Sequence, residues 1–331
     1  MKTTKLGKDG PEITQFGLGA MSFAGAYGGA SQEASEAVLD ACFEAGVTHL
    51  DTANIYGEGR SEEIVGQWLK SRPGMRDNWV IATKAGIVIG DPDRRFNNEG
   101  AYMEAELDAS LARLGIDCVD LFYVHRREHA IPIEEVAGSM GRIVEKGKAK
   151  AIGFSEIAPN SLREAHAEFP VAAVQSEYSL STRACEMGMV QACAELGVTL
   201  VAFSPVGRSF LTDAPFTPEA LEDIPFLNTN PRFMEPNYSK NIAAVYPFQQ
   251  LAREMGESTA ALAVAWTRTK GDHVVPIPGT KSVPHLQELL RGAELELTDD
   301  QVAVIEATLP LGWAHGDRYN VTQWVGPEKY G

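Results

Sequence analysis

Along this chain a short apolar run rich in Val, Ile and Ala, a polar break, an amphipathic segment and a glycine recur in order. The apolar runs fall near 14–20, 47–52, 79–84, 118–124, 149–154, 171–176, 198–204 and 273–277. They are continuous rather than alternating, as strands covered on both faces are, which predicts a parallel sheet under helices. Between them the apolar spacing is helical. Ile133, Val136, Met140 and Ile143 mark one face of one segment, and Ile64, Val65, Trp68 and Leu69 of another. Gly46, Gly115, Gly147, Gly197 and Gly271 stand between a helical pattern and the next run, where a left-handed residue closes a helix. Thr298 and Gln301 have the spacing of a capping box opening the last helix. Eight strands alternating with helices predict a (β/α)8 TIM barrel, with a doubly wound sheet as the alternative.

No linker divides residues 1–331, so one domain is expected. The rhythm breaks after the seventh run. Val206 to Tyr238 carries Pro215, Pro218, Pro225, Pro231 and Pro236, which predicts a long loop that is functional or mobile. Beyond Pro310 the tail holds Trp313, His315, Arg318, Tyr319 and Trp324 without helical period, and is expected to pack over the barrel mouth.

Composition narrows the class of function. The 331 residues are 44% hydrophobic, ordinary for a packed domain. With 45 Asp and Glu against 29 Lys and Arg, the net charge of −16 disfavours nucleic acid as the main partner. No apolar stretch is long enough to span a membrane. Met1 to Gly7 has no apolar segment after its charges, so no secretory leader is expected. Cys42, Cys118, Cys185 and Cys193 form no C-x-x-C pair and read as reduced thiols of a cytoplasmic protein, a monomer or a homo-oligomer.

In parallel α/β sheets the site lies at the carboxyl ends of the strands. The apolar runs there end at Asp51 (with Tyr56 just beyond), Lys84, His125, Ser155 and Glu156, Gln175, Phe203 and Ser204, and finally Thr280 and Lys281. Each alone has a bland reading: a capping Asp, a snorkelling Lys, a core His, a Gln bonded to backbone. Together they converge on one face. A free Tyr, with a pKa of about 10, is a poor acid at neutral pH. A nearby ammonium favours the phenolate, an Asp keeps that ammonium charged, and a His steers a carbonyl oxygen. This is a general acid for carbonyl reduction, with donors for developing alkoxide charge. No spacing suggests a metal site, and His49 beside Asp51 reads as core. A reduction needs hydride, yet G-x-G-x-x-G is absent, since Gly17-Leu18-Gly19 lacks the third glycine. Any nicotinamide therefore binds at the barrel mouth.

D-T-A-N-I-Y-G, A-T-K, F-Y-V-H-R, G-F-S-E, V-Q-S-E-Y, A-F-S-P-V-G-R and I-P-G-T-K, in order over nearly the whole chain, resemble the aldo-keto reductase superfamily. G-F-S-E, Q-S-E-Y-S-L and the tail G-D-R-Y resemble its bacterial members related to auxin-induced-protein homologues and pyridoxal reductases. The resemblance implies an NADPH-dependent carbonyl reductase, with NADH possible. It implies Tyr56 as acid, Lys84 and Asp51 as its modulators, and His125 orienting the carbonyl. It implies that Ser155 and Gln175 hold the carboxamide with Glu156 beside them, and that Phe203 stacks on the nicotinamide. Ser204, Pro205, Val206 and Arg208 would follow the pyrophosphate. Lys281 and Ser282 would meet the 2′-phosphate, and Gly19, Met21, Gly279, Thr280, His285 and Glu288 complete the cofactor set. The chain departs from the pattern at Glu156 and Leu289, where relatives have Asn, at Ser209 for Gly, and at His285 for Arg.

The small carbonyl substrate is expected against Phe23, Tyr27, Tyr56, Ile87, His125 and Arg127, with Phe96, Trp313 and Tyr319 as further candidates. Arg94, Arg95, Arg126 and Arg127 follow the third and fourth runs. Either they receive an anionic or strongly polar carbonyl compound, such as a sugar or a phosphorylated aldehyde, or they are loop charges paired with Asp91, Asp93 and Glu128. Two rival functions remain: a dehydrogenase oxidising a sugar or alcohol with NAD(P)+, and a regulatory subunit that senses the bound cofactor.

Overall fold

The structure is a computed structural model that describes residues 1–91 and 94–330. It opens with an antiparallel hairpin, β1 (Thr3–Lys5) and β2 (Glu12–Thr14). Eight parallel strands follow: β3 (Gly17–Gly19), β4 (His49–Asp51), β5 (Val80–Ala85), β6 (Leu121–Val124), β7 (Ile152–Ser155), β8 (Val171–Glu177), β9 (Thr199–Phe203) and β10 (Val274–Pro276). Each pairs with its neighbour in sequence, and the Gly19 N–H donates to the Pro278 carbonyl at 3.0 Å, linking the ends of the first and last strands. The barrel reading is correct and the doubly wound alternative is not.

Continuous apolar runs arise because both strand faces are covered. Outward residues such as Leu18, Leu50, Ile81 and Val174 pack under the helices. Inward residues, among them Ala82, Leu121, Tyr123, Ala173, Val201 and Val275, fill the lumen. The hairpin was not legible in the apolar pattern, whose first run, near 14–20, took in only Thr14 of it. It plugs the amino end of the lumen, where Leu6 and Ile13 join the inward cluster. Thr199 ties it down, accepting from the Gly7 N–H at 2.8 Å and donating to the Lys5 carbonyl at 3.0 Å.

Helix ends follow the punctuation. Gly115 and Gly197 close the helices Gly100–Leu114 and Met189–Leu196 at φ of 67° and 69°, angles that cost other residues strain. Thr298 and Gln301 form the expected capping box. The proline-rich stretch is more ordered than a loop. It contains the short helices Pro218–Glu222 and Pro225–Asn228 before the long helix Asn237–Glu254, because Pro suits a first helical turn. Among the described residues no helix is long and apolar enough to cross a membrane.

Candidate active site at the carboxyl ends of the strands

Side chains two apart on a strand share a face. Ala82, Tyr123, Ala173 and Val201 face the lumen, so Lys84, His125, Gln175 and Phe203 surface together at its carboxyl end. The same pleat puts Asp51 above His49, which is buried in the barrel with Nδ1 3.1 Å from the Val80 carbonyl oxygen. Tyr56 comes from the turn between β4 and the helix Arg60–Ser71. Gly57 makes that turn possible: its φ is 60°, and a Cβ there would lie 2.9 Å from the Ala24 methyl.

Asp51 and Lys84 are buried and joined as an ion pair. Lys84 also donates to the Thr52 carbonyl at 2.7 Å and to the Tyr56 hydroxyl at 3.4 Å, so all three ammonium protons have acceptors. Its Nζ lies 5.0 Å from the centre of the Tyr56 ring. The Tyr56 and His125 rings meet edge to face, with centroids 5.8 Å apart.

Burial pulls the Lys84 pKa down, but Asp51 and Tyr56 outweigh it and the net shift is upward. For Tyr56 burial pushes the pKa up and Lys84 opposes it; burial wins, and the phenol sits above its ordinary value. The ammonium acts on Tyr56 in the expected direction, toward the phenolate, but is outweighed by the loss of solvent. Burial, then Arg126 and Lys84, hold His125 well below the usual imidazole range, so it is neutral.

The flanking residues suit a carboxamide. Gln175 donates its amide to Asp51 at 2.7 Å, which leaves its side-chain oxygen to accept. Ser155 accepts from Arg126 at 3.0 Å, which leaves its own hydroxyl proton to donate. A donor and an acceptor on adjacent strands match the two ends of an amide. The Phe203 ring stands partly exposed at the end of β9. Buried Ser22 Oγ and Arg208 Nη1 have no hydrogen-bond partner among the described residues. Gly279 approaches Gly19 and Ser22 so closely that a Cβ would lie 2.7 Å from both oxygens.

Other expected residues are placed as follows. Ser204, Arg208 and Ser209 take φ of 53°, 55° and 91°, a run of left-handed backbone beside half-buried Val206 and buried Pro205. Lys281 reaches across to the Tyr27 and Gly29 carbonyls at 3.1 and 3.0 Å. The Tyr27 ring stacks on Phe216 and meets Phe226 edge-on. The Thr280 hydroxyl accepts from the Ser282 N–H at 3.1 Å, and Ser282 precedes the helix Val283–Glu294, which carries exposed His285 and half-buried Glu288. Met21 is half-buried, whereas Phe23 is fully buried in the outer core. Ile87 bridges to Phe96. Arg127 pairs with Glu328 of the tail at 2.7 Å. Arg94 pairs with Glu128 at 2.9 Å, and Asp91 accepts from its backbone N–H at 3.0 Å; Asp93 lies outside the described residues.

Sequence reasoning missed a buried ion cluster. Glu156, at φ 59°, turns away from Ser155, pairing with Arg318 and accepting from the Glu177 N–H at 2.8 Å. Glu177 meets Arg208 at 2.8 Å, Arg318 at 3.5 Å and Arg232 at 3.9 Å. Burial raises the Glu177 pKa, but the three guanidiniums more than reverse this and hold it at about 2. The cluster stitches the tail to the strand ends. Its only legible signal was an acidic residue ending Q-S-E, with no local pattern naming its partners.

The aldo/keto reductase family model matches residues 15–310. A Schizosaccharomyces pombe aldo-keto reductase, yakc, whose name specifies NADP(+), is 38% identical over 96% of this chain and 94% of its own. A probable aldo-keto reductase of Glycine max is 37% identical over 96% of this chain and 92% of its own. The solved glycerol dehydrogenase AKR11B4 from Gluconobacter oxydans superposes with a TM-score of 0.80 at 26% identity, covering 93% of this chain and 94% of that one. With the barrel, the tetrad of Asp51, Tyr56, Lys84 and His125 and these likenesses in agreement, the chain belongs to the aldo/keto reductase family of oxidoreductases.

Proposed function

We propose that this protein reduces small aldehydes or ketones with NADPH, Tyr56 giving the proton. The observation that carries the reading is the buried Lys84 ammonium, which bonds Asp51 on one side and the Tyr56 hydroxyl on the other, beside neutral His125. The nicotinamide supplies hydride when bound. His125 and Tyr56 orient the carbonyl oxygen, and Tyr56 protonates it as negative charge develops. Lys84 stabilises the phenolate left behind, and Asp51 keeps Lys84 charged although both are buried. Phe203, Ser155 and Gln175 hold the nicotinamide ring and its carboxamide. Lys281 and the amino end of the helix that follows Ser282 suit a phosphate, which supports NADPH over NADH.

The reverse reading, oxidation of an alcohol with NAD(P)+, uses the same residues with Tyr56 as base. The same residues serve both directions, and the cellular ratio of reduced to oxidised cofactor sets which one runs. A regulatory subunit would need only the cofactor residues, whereas here the tetrad is complete. The test is a fluorescence titration with NADPH and NADH, followed by an aldehyde panel with wild type and Tyr56→Phe. Selective NADPH binding in both, and turnover in wild type alone, supports the reading. Turnover by Tyr56→Phe removes the acid assignment, and binding of neither cofactor removes hydride transfer.

A further inference from the structure

Four arginines stand in the loops after β5 and β6, and three are already engaged. Arg94 chelates Glu128, with Glu99 at 3.3 Å. Arg95 donates to the Thr322 carbonyl and lies over the Phe96 ring. Arg127 is buried against Glu328 and the Ile131 carbonyl. Arg126 differs. It donates to the His125 carbonyl at 2.6 Å, to the Ser155 hydroxyl at 3.0 Å and to the Tyr319 hydroxyl at 3.4 Å, all neutral acceptors. Among the described residues no carboxylate is within ion-pair distance of it, although acidic residues outnumber basic ones in this chain by 45 to 29. It is half-buried, follows His125 in sequence, and lies close enough for its charge to act on both His125 and Tyr56.

A guanidinium has five donors in a plane. Three bonds to neutral oxygens leave N–H groups and a full charge unmatched, and a charge-assisted bond is the strong kind. Its stem is fixed: a Cβ at Gly326 would lie 2.9 Å from the Arg126 Cβ and 2.8 Å from Phe96. The Tyr319 ring, under Arg208 and Arg318, fixes the far side. A positioned, uncompensated cation beside the group that grips the carbonyl oxygen is a receptor for an oxyanion on the same small molecule.

Resting on the carbonyl-reductase reading, we propose that Arg126 is the substrate's anion anchor, and that the preferred substrates are short carbonyl compounds bearing a carboxylate or a phosphate near the carbonyl. The reaction is unchanged: hydride to the carbonyl carbon, a proton from Tyr56 to its oxygen, and the anion held throughout.

The experiment compares kcat/KM, with NADPH and the full chain, for two matched pairs: 4-oxobutanoate against butanal, and glyceraldehyde 3-phosphate against glyceraldehyde. Arg126→Gln keeps donors for Ser155 and the His125 carbonyl while removing the charge, and Arg126→Lys keeps the charge. NADPH binding is measured for each variant. Wild type is expected to prefer the charged member of at least one pair tenfold or more, through KM. Arg126→Gln is expected to lower that ratio at least tenfold, and Arg126→Lys to recover part of it. The pair that shows the preference separates carboxylate from phosphate. No charge preference in wild type, or an equal loss on charged and neutral members in Arg126→Gln, overturns the anchor and leaves Arg126 as a support for Ser155. If wild type reduces none of the four, the reductase reading fails, and the anchor is judged by binding. A saturable change of bound-NADPH fluorescence with glyceraldehyde 3-phosphate or 4-oxobutanoate, lost in Arg126→Gln, keeps it; no change, or one that persists in the variant, overturns it.

Discussion

The Gln175 side chain donates to Asp51 at 2.7 Å, joining the residue suited to the nicotinamide carboxamide to the carboxylate that anchors Lys84. One amide therefore faces two tasks, and its orientation is set by the acid rather than by the cofactor. Gln175→Glu would place a second carboxylate beside Asp51, and two like charges at that distance do not both ionise. We expect this variant to lose both NADPH affinity and turnover, each by tenfold or more, with Gln175→Ala milder in kcat. Equal kcat in the two variants, measured at saturating cofactor, would show that Asp51 does not feel residue 175.

Lys84→Met leaves Asp51 buried without its cation. Breaking a buried pair by removing one partner costs about 3–5 kcal/mol. The variant is expected to unfold at markedly lower urea concentration than wild type, and Lys84→Met with Asp51→Asn to recover part of the difference. A double variant no more stable than Lys84→Met, measured by urea titration, would mean that the ion pair is not the source of the loss.

Tyr56→Phe removes one oxygen from a site where the ring is held by His125 and Lys84. Loss of a general acid typically costs about 10²–10⁴ in rate. Turnover should fall by that order while the thermal midpoint and NADPH affinity stay near those of wild type. A parallel fall in cofactor affinity would point to a collapsed pocket instead.

His125 is depressed by burial, Arg126 and Lys84, and His49 by burial. Both are neutral when folded and titrate near about 6.5 when unfolded. Below that pH the unfolded chain binds more protons, so stability rises with pH and is lost as pH falls through 6.5 and beyond. The thermal midpoint should be flat from pH 8 to 7 and decline toward pH 5. Glu177, held at about 2, adds a second loss only below its ordinary carboxylate range. In the same experiments kcat for reduction should show no limb near pH 6.5, since His125 is already neutral. A limb there that disappears in His125→Gln would contradict the neutral assignment.

The tail is held by Arg318 on Glu156 and by Glu328 on Arg127, with the Glu328 N–H donating to the Glu156 carbonyl at 2.8 Å. Arg318→Met leaves buried Glu156 and Glu177 with fewer cations. It should lower the thermal midpoint by several degrees, and Glu156→Gln in the same chain should restore part. Limited proteolysis after Pro310 reports whether the tail is released. Unchanged cleavage with a lowered midpoint would place the effect in the strands alone.

By itself the sequence determined the eight runs, the glycine stops and the polar residue ending each run. These are local facts: a strand buried on both faces must be apolar throughout, a helix needs a left-handed stop, and a carboxyl end is where polar side chains can emerge. From them the barrel and the convergence of Asp51, Lys84 and His125 were legible, because residues two apart on a strand share a face whatever the rest of the chain does; Tyr56, in the turn after β4, was legible only through its place just beyond Asp51. Tertiary structure alone decided the partners of the long side chains. Arg94, Arg126 and Arg127 look alike in sequence, yet Glu128 neutralises the first and Glu328 the last, while Arg126 meets only neutral oxygens. Glu156 turns from Ser155 to Arg318, which lies 162 residues away. An ion pair depends on distances between side chains from remote segments, and no spacing along one segment encodes that. The hairpin was missed for a related reason: Leu6 and Ile13 are buried by a lumen that exists only once eight later strands have closed around it.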